Sequence, residues 1–415
     1  MRQDNFPQDV ARLRALAEQM RECAADPANE RHKRLWTAVN DRHMIVPTVI
    51  ARDYPAYLID YKDELRLLCE DPLLRGAEWQ LLTALYEWRH MRGHRVVEDV
   101  IYCPVVYSDR RYGIQQSHHY KPPYTDSVHF ERQIDNEDDI QKILDAEITC
   151  NESETLRKLS RLQEVFDGLL RVKLQGVDHF DFRPWDDLMM WMGIEEGMYD
   201  LAVRPEFMHK AVQRYVDVSV QRARRCEALG ILSSNNRNSL IAAAGYGYTD
   251  HLPPPTESGI GAKLADVWGD GRDQIFTSVS PAMTKEFAFE PAKPWYDLFG
   301  LNCYGCCEDL GRKVAESQTM PRLRKLSVSP FADLETAMEA MGGEVVVSFK
   351  PDPSHLAVTP WRKDRMRTEL ETACRLARKY GCHMEILMKT LITLDNDPSR
   401  LWEWCDLATN IAEGC

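Results

Sequence analysis

The sequence predicts an α/β fold, a (β/α)8 TIM barrel preceded by a short N-terminal helical extension. From residue 280 onward, apolar runs of strand length alternate with helical segments over at least four successive units with short connections. This alternation is typical of parallel βαβ units. Earlier apolar runs near residues 45, 100 and 231 supply further strands, and neither a G-x-G-x-x-G fingerprint nor a Walker loop follows any strand. The strand count therefore favours a barrel over a doubly wound sheet.

The first part of the chain is predicted to contain an extension, two early strands and an insertion. Residues 1–37 have helical apolar spacing and many charges, which indicates one or two surface-packed helices ahead of a barrel formed by residues 38–415. The short apolar runs "HMIVPTVIA" and "EDVIYCPVVYS" are bounded by charged or polar residues, as strands often are. Residues 110–160 are polar and contain proline, so we expect an insertion there.

The second half carries the more regular pattern. The clearest helix begins at Pro205, which suits a first helical turn, and ends before Gly230, which suits a C-cap. A further helix is expected from Ser280 to about Gly300. The strands and helices that follow alternate to the last helix, with predicted strands at 301–304, 325–329, 344–349 and 383–388.

Composition excludes several classes of function. The chain has 415 residues and a net charge of −13, which gives no support to a role on nucleic acid or on an anionic membrane surface. No run approaches the roughly 20 apolar residues of a membrane span. Twelve cysteines in a chain of this length are typical of reduced thiols in a cytosol. We therefore expect a cytoplasmic protein that binds neither membrane nor nucleic acid.

The stretch "LNCYGCCEDLG", residues 301–311, has the highest density of reactive side chains. Barrel chemistry lies at the C-terminal ends of the strands, and this stretch follows such an end. Cys303 is expected in the core of the strand, while Cys306 and Cys307 are expected at the barrel mouth. There they could bind zinc, which needs three or four nitrogen, sulfur or oxygen ligands. The alternatives are buried cysteines that only pack, or a Cys-x-x-Cys redox pair.

Charged residues in or after the later strands are further candidates. Lys350 follows a strand and precedes "PDP", so it could bind an anionic group or shift the pKa of a neighbouring residue, and the alternative is a lysine that only forms a salt bridge. Glu385 lies inside a strand, where a carboxylate is costly unless it is paired or ligates a metal. Lys389 and Asp395 are expected to form a surface pair.

An aromatic loop precedes "HLPPPTESG" and is the last candidate region. Tyr248 and His251 in this loop could line a pocket for an aromatic or cationic small molecule. The alternative is an ordinary irregular loop stiffened by prolines.

The chain resembles the uroporphyrinogen decarboxylase-like superfamily of barrels. The stretch "NDRHMIVPTVI" resembles the family's opening strand, and "DDLMMWMGIEEGMYDLAVRPEFMHKAVQRYVDVSVQRARRCEALG" resembles its middle helices. The segment from Ser278 to Leu310 resembles the approach to the sixth strand, and "EVVVSFKPDPS" and "DNDPSRLWEWC" resemble the last two units. The similarity spans most of residues 38–412 and implies a (β/α)8 barrel.

Two branches of this superfamily differ in their motifs. True decarboxylases carry Arg-Gln-Ala-Gly-Arg after the first strand, whereas this chain has "VIARDYPAY" with Arg52 alone, which argues against porphyrinogen decarboxylation. Methyltransferases of the other branch hold zinc with a His-x-Cys pair and a later cysteine. Here the pair becomes Tyr304-Gly305-Cys306, and no cysteine occurs near Leu391. Glu308 and Glu385 are then candidates for substitute ligands.

The resemblance implies a methyltransferase that demethylates a small O- or N-methyl compound with the help of zinc. The methyl acceptor would be a corrinoid carried by a separate protein, because no cobalamin-binding domain fits in this chain. A decarboxylase or lyase of a small carboxylated substrate and an inactive ligand-binding barrel are the alternatives, and a homodimer is left open. The predicted site residues are Glu385, Lys350 and Tyr304 for catalysis, Cys306, Cys307 and Glu308 for zinc, and Tyr248 and His251 for substrate.

Overall fold

The computed structural model describes residues 6–120 and 128–415. Part of the predicted insertion near 110–160, residues 121–127, therefore lies outside the described residues. The strands are β1 Thr48–Ala51, β2 Val100–Pro104, β3 Tyr107–Asp109, β4 His118–Tyr120, β5 Val128–Phe130, β6 Ile148–Cys150, β7 Arg171–Gln175, β8 Trp268–Gly271, β9 Leu301–Tyr304, β10 Leu323–Val328, β11 Val346–Phe349 and β12 Met384–Met388.

Helices surround these strands, and none of those described is long and apolar enough to cross a membrane. They are α1 Phe6–Ala24, α2 Ala28–Asn40, α3 Ala56–Ile59, α4 Pro72–His90, α5 Glu152–Phe166, α6 Pro184–Met192, α7 Ile194–Val203, α8 Pro205–Ala228, α9 Pro281–Thr284, α10 Glu290–Tyr296, α11 Val314–Ser317, α12 Leu334–Met341, α13 Ser354–Ala357, α14 Lys363–Tyr380 and α15 Ser399–Glu413.

A six-stranded parallel sheet forms the centre of the fold. Its strand order is β1-β12-β11-β10-β9-β8, and every neighbouring pair is parallel. A second parallel pair, β2 and β7, lies beside an isolated parallel bridge between Val177 and Leu232. The predicted α/β class is confirmed. Among the described residues no strand ladder joins the two sheets, so closure into an eight-stranded barrel stays a prediction.

The insertion and the N-terminal helices pack onto this framework. β3 pairs with β6 and β4 with β5 in two short antiparallel ribbons. α1 packs against α4 and α5, and α2 packs against β1. α2 buries one of its faces in the interior. Its Trp36 is fully buried, and the indole Nε1 donates a hydrogen bond to the carbonyl of His94 at 2.7 Å.

The segment after Leu232 does not extend into a regular strand. Residues 235–249, called here the interior segment, instead pack on one face of the six-stranded sheet. Its backbone contacts side chains of β10 and β12, because the amide of Gly245 donates to Glu385 Oε1 at 3.0 Å and the carbonyl of Tyr246 accepts from Lys325 Nζ at 3.3 Å. A Cβ atom at Gly245 would lie 2.3 Å from the Trp36 ring, so only glycine fits there.

Lys325 and Glu385 form a fully buried ion pair beneath the interior segment. Their Nζ and Oε2 atoms are 2.8 Å apart, and neither side chain is exposed. A buried charge that loses its partner keeps its desolvation penalty, so breaking one half is far more harmful than replacing both halves.

We expect Lys325→Met to lower the free energy of unfolding by about 3 to 5 kcal/mol, because Glu385 is left buried without its cation. The double variant Lys325→Met/Glu385→Leu should recover much of that loss. Urea denaturation of the three proteins measures both effects. Lys363→Met, which removes an exposed ion pair with Glu403, is the control and should change little. Equal stability of the single variant and the wild type would contradict the expectation.

Candidate functional site

The C-terminal end of β9 brings two cysteines over the end of the sheet. The chain turns at Gly305, where φ is +93°, a conformation that glycine adopts without strain. The turn is held by Ser327 of β10, whose hydroxyl donates to the carbonyl of Cys306 at 2.7 Å. Cys303, which lies within β9, is buried in the core as expected. Cys306 and Cys307 therefore leave the strand at the position where an α/β sheet usually carries its chemistry.

The groups around Cys306 favour its thiolate form. Its Sγ lies 3.5 Å from Cys307 Sγ and accepts a hydrogen bond from Lys389 Nζ at 2.9 Å. The hydrogen bond from Cys307, followed by the charge and hydrogen bond of Lys389, lowers the pKa of Cys306 well below its ordinary value. The same bond to Cys306 raises the pKa of Cys307. At neutral pH the pair is therefore one thiolate and one thiol.

Lys389 was not recognised as a site residue, and the expected surface pair with Asp395 is wrong. Lys389 is 7% exposed, and apart from Cys306 its nearest charged partner is Asp53, at 3.8 Å. Asp395 instead pairs with Arg400. Lys389 follows β12 directly and lies an even number of residues after Glu385, so both side chains project from the same face of the sheet. The sequence signal for Lys389 as a site residue was its position directly after an apolar strand.

Lys350 completes what is called here the thiolate cluster, made of Cys306, Cys307, Lys350 and Lys389. Its Nζ donates to the hydroxyl of Ser327 and to the carbonyl of Ser348, the latter at 3.3 Å. Burial, followed by repulsion from Lys389, lowers the pKa of Lys350 to about 8. Within the part of the chain that the structure describes, no carboxylate lies within 4.0 Å of this buried amine. The described residues therefore do not support the salt-bridge alternative for Lys350, and the binding of an anionic group stays a prediction.

A buried carboxyl network lies behind the two cysteines. Glu308 Oε2 accepts the amide hydrogen of Cys306 at 2.7 Å, and Glu308 Oε1 accepts that of Asp273 at 3.3 Å. The Tyr304 hydroxyl donates to Asp273 Oδ2 at 3.0 Å. Burial raises the pKa of both Asp273 and Glu308. Both Glu308 oxygens thus bind backbone, and the residue fixes the cysteine turn.

A second charged group lies at the same ends of the strands and was missed by the sequence analysis. Asp270, on β8, lies 3.4 Å from His179 Nδ1 and raises the pKa of His179 to about 9. Arg272 forms an ion pair with Asp181. The sequence signal was "WGDGRD", where two aspartates and an arginine follow Trp268 within five residues.

Three predicted site residues lie apart from the thiolate cluster. Glu385 is occupied by its ion pair with Lys325 and by the amide of the interior segment. The Tyr248 hydroxyl donates to Glu98 Oε1 at 2.9 Å, and His251 Nδ1 lies 3.0 Å from an Arg324 guanidinium nitrogen. The structure thus brings Tyr304, Cys306, Cys307, Glu308 and Lys350 together, and the roles of all eight predicted residues stay predictions.

The predicted zinc ligands do not form a complete set in this arrangement. The two sulfurs are close enough to share one ion, but zinc needs a third and usually a fourth ligand. Across residues 6–120 and 128–415, no group of three or more His, Cys, Asp or Glu side chains is placed to hold a metal. Glu308 binds backbone amides, and an ammonium occupies the free side of Cys306. The zinc stays a prediction without support from these residues.

We expect iodoacetamide to alkylate Cys306 at pH values well below the ordinary thiol range, because the thiolate is the reacting form. Lys389→Met should shift the pH of half-maximal rate upward, since it removes a cation that favours the thiolate. Peptide mass spectrometry after timed quenching gives the rate at each pH. Lys363→Met, a substitution on the surface, should leave the profile unchanged. An ordinary thiol profile for Cys306, or no shift in Lys389→Met, would contradict the assignment.

Comparison with known proteins gives one kind of match. No protein-family model matches the chain, and no curated protein matches it. Among solved structures the chain is similar to a methyltransferase from Methanosarcina mazei, with 11% sequence identity and a TM-score of 0.48 over 90% of this chain and 98% of that chain. A likeness at this level carries no information on activity.

Proposed function

We propose that the protein is a methyltransferase that removes a methyl group from a small O- or N-methyl compound at the thiolate cluster. One observation carries this proposal. A cysteine thiolate, the most nucleophilic side chain at neutral pH, lies 2.9 Å from a lysine ammonium at the C-terminal ends of parallel strands. In the methyltransferase branch that the sequence resembles, the cysteine that matches Cys306 binds zinc, and this resemblance supports methyl transfer at the same position.

The reaction follows from the atoms of the cluster. The Cys306 sulfur attacks the methyl carbon, the bond from carbon to the substrate heteroatom breaks, and the electron pair leaves with the heteroatom. For an O-methyl compound the leaving oxygen takes a proton from the ammonium of Lys389 or Lys350. Both amines lie at the cluster, and the lowered pKa of Lys350 makes it the better proton donor. The thiol of Cys307 keeps its proton and stays a hydrogen-bond donor.

The methyl group then has to leave Cys306 for a second acceptor. The sequence resemblance implies a corrinoid on a separate protein, and we propose such a partner as the final acceptor. The cluster lies at the C-terminal ends of the strands, where Cys307 is partly exposed. The scheme assigns no role to zinc, because the described residues do not complete a zinc ligand set.

We expect Cys306→Ser to abolish demethylation, because a serine hydroxyl is not ionised at neutral pH. The wild type is incubated with a panel of small O- and N-methyl compounds and a reduced corrinoid protein, and the demethylated product is measured by mass spectrometry. Without the corrinoid protein, peptide mapping should find the methyl group on Cys306. Cys226→Ser, at a buried cysteine of α8 away from the cluster, is the matched control and should keep activity.

Product formation by Cys306→Ser at the wild-type rate would refute the proposed role of the thiolate. Metal analysis of the same preparations tests the zinc separately. Stoichiometric zinc that is lost in Cys306→Ser and Cys307→Ser would restore the metal-assisted reaction that the resemblance implies.

One observation favours the second candidate, a decarboxylase or lyase of a small carboxylated substrate. Lys350 is a buried amine without a described carboxylate within 4.0 Å, and an anionic substrate group would supply the missing charge. In that reaction Lys350 would bind the substrate carboxylate and Cys306 would not be methylated.

We expect the two candidates to separate on Lys350→Met. For a lyase the substitution should raise KM strongly, because it removes the charge that binds the carboxylate. For methyl transfer to an uncharged substrate it should lower kcat with little change in KM, because only the proton donor is lost. The measurement is steady-state kinetics of the wild type and Lys350→Met on whichever substrate a screen of methylated and carboxylated compounds identifies. Carbon dioxide release is measured in the same assays.

A further inference from the structure

Two adjacent cysteines at the end of β9 have their sulfurs in contact. Cys306 Sγ and Cys307 Sγ are 3.5 Å apart, although successive side chains of a regular strand point to opposite faces. The turn at Gly305, with its φ of +93°, takes the chain out of the strand just before this pair. Cys303, the other member of the Cys-x-x-Cys spacing, is 1% exposed and packs in the core. The sulfur contact therefore belongs to the adjacent pair and not to the Cys-x-x-Cys pair.

The two sulfurs differ in what surrounds them. Cys306 is 8% exposed, and its Sγ accepts a hydrogen bond from Lys389 Nζ at 2.9 Å. Its amide donates to Glu308 and its carbonyl accepts from Ser327, each at 2.7 Å. Cys307 is partly exposed, and among the described residues no hydrogen bond other than the one to Cys306 is found for it. One sulfur is thus fixed beside an ammonium, and the other is free to approach it.

This arrangement places a thiolate beside a thiol that can react with its oxidised form. In oxidation-sensitive proteins a thiolate reacts with peroxide to a sulfenic acid, and a neighbouring thiol condenses with that acid to a disulfide. The ammonium of Lys389 favours the thiolate of Cys306 and can supply the proton that the leaving oxygen needs. Hydrogen peroxide, because it is small, fits a sulfur of low exposure better than a bulky disulfide compound does.

We propose that Cys306 and Cys307 form a reversible disulfide when hydrogen peroxide oxidises the protein. The Cys306 sulfur attacks one peroxide oxygen, the O–O bond breaks, and the hydroxide that leaves takes a proton from Lys389 and becomes water. The Cys307 sulfur then attacks the sulfur of the Cys306 sulfenic acid as its own S–H bond breaks. The hydroxide released in this second step takes that proton. Overall the two sulfurs lose two electrons, and one peroxide is reduced to two waters.

The position of the two cysteines makes this disulfide easy to reduce. Adjacent Cα atoms are about 3.8 Å apart, below the usual range of about 4.4 to 6.8 Å for disulfide-bonded cysteines. Strained disulfides are more easily reduced, and they are the labile, regulatory or catalytic ones. The disulfide also removes the Cys306 nucleophile and so switches off methyl transfer. This effect rests on the proposed function, whereas formation of the disulfide does not.

Peptide mapping of the full chain tests the disulfide without any methyl compound. After treatment with hydrogen peroxide, free thiols are alkylated at once, and chymotrypsin cleaves after Tyr304 and Leu310. The resulting peptide contains Cys306 and Cys307 but not Cys303. It should be unalkylated and lighter by two hydrogens, and after dithiothreitol both thiols should accept the alkylating agent. Two alkylated cysteines after peroxide, a bond from either one to a third cysteine, or a Cys306 sulfinic acid beside a free Cys307 would overturn the proposal.

A variant of the second cysteine tests the order of the steps. Cys307→Ser should form no disulfide, and its Cys306 should be oxidised to a sulfinic acid because no thiol condenses with the sulfenic acid. Cys23→Ser, at a partly exposed cysteine of α1, is the control and should form the disulfide like the wild type. A Cys307→Ser protein in which Cys306 stays unoxidised would overturn the proposed steps.

The effect on activity is measured separately on the oxidised wild type. Demethylation should be lost after peroxide and should return after dithiothreitol. A disulfide that forms while demethylation continues at the rate of the reduced protein would refute the proposed role of the Cys306 thiolate in methyl transfer and would leave the oxidation site standing. Failure of the disulfide to form in the peptide map would overturn the oxidation site and leave the proposed function untouched.

Discussion

The buried ion pair between Lys325 and Glu385 is the interaction on which the interior of this protein depends. It joins β10 to β12 across β11, and both partners also contact the backbone of the interior segment. Two opposite charges that neutralise each other can be sealed from water, whereas either alone could not. The pair therefore allows the interior segment to pack directly on the sheet. Both Glu385 oxygens are thereby occupied, one by Lys325 and one by the amide of Gly245.

The parallel register divides the polar side chains of the sheet into two levels. Lys325 pairs in register with Val346 and Cys303, and Ser348 pairs with Glu385, which forms the lower level. Lys350 lies two residues beyond Ser348 and Lys389 four residues beyond Glu385, and together with Cys306 they form the upper level. Charge is balanced in the lower level. In the upper level two amines face one cysteine sulfur, and the Asp53 carboxylate lies 3.8 Å from one of these amines, that of Lys389.

Much of the fold could be predicted because it depends on local pattern. The alternation after residue 280 gave the strands β9 to β12 and their helices, and Pro205 correctly marked the start of α8. The strand expected near residue 231 became a single bridge, because the following residues are buried against side chains from distant strands. The cysteine turn was predicted from its place after β9. Lys389 was missed because its partner, Cys306, is 83 residues away, and only the assembly of the sheet brings the ends of β9 and β12 together.

The contact between Gly245 and Trp36 has a consequence for how the chain reaches its native state. The indole comes from the N-terminal helices, the glycine from the middle of the chain, and the carboxylate beside them from β12. Contacts of such long sequence separation form late, because the entropy of closing large loops must be overcome first. The sheet interior therefore cannot be completed during synthesis until β12 has left the ribosome. Until then Trp36 and Gly245 lack the strand that carries Glu385.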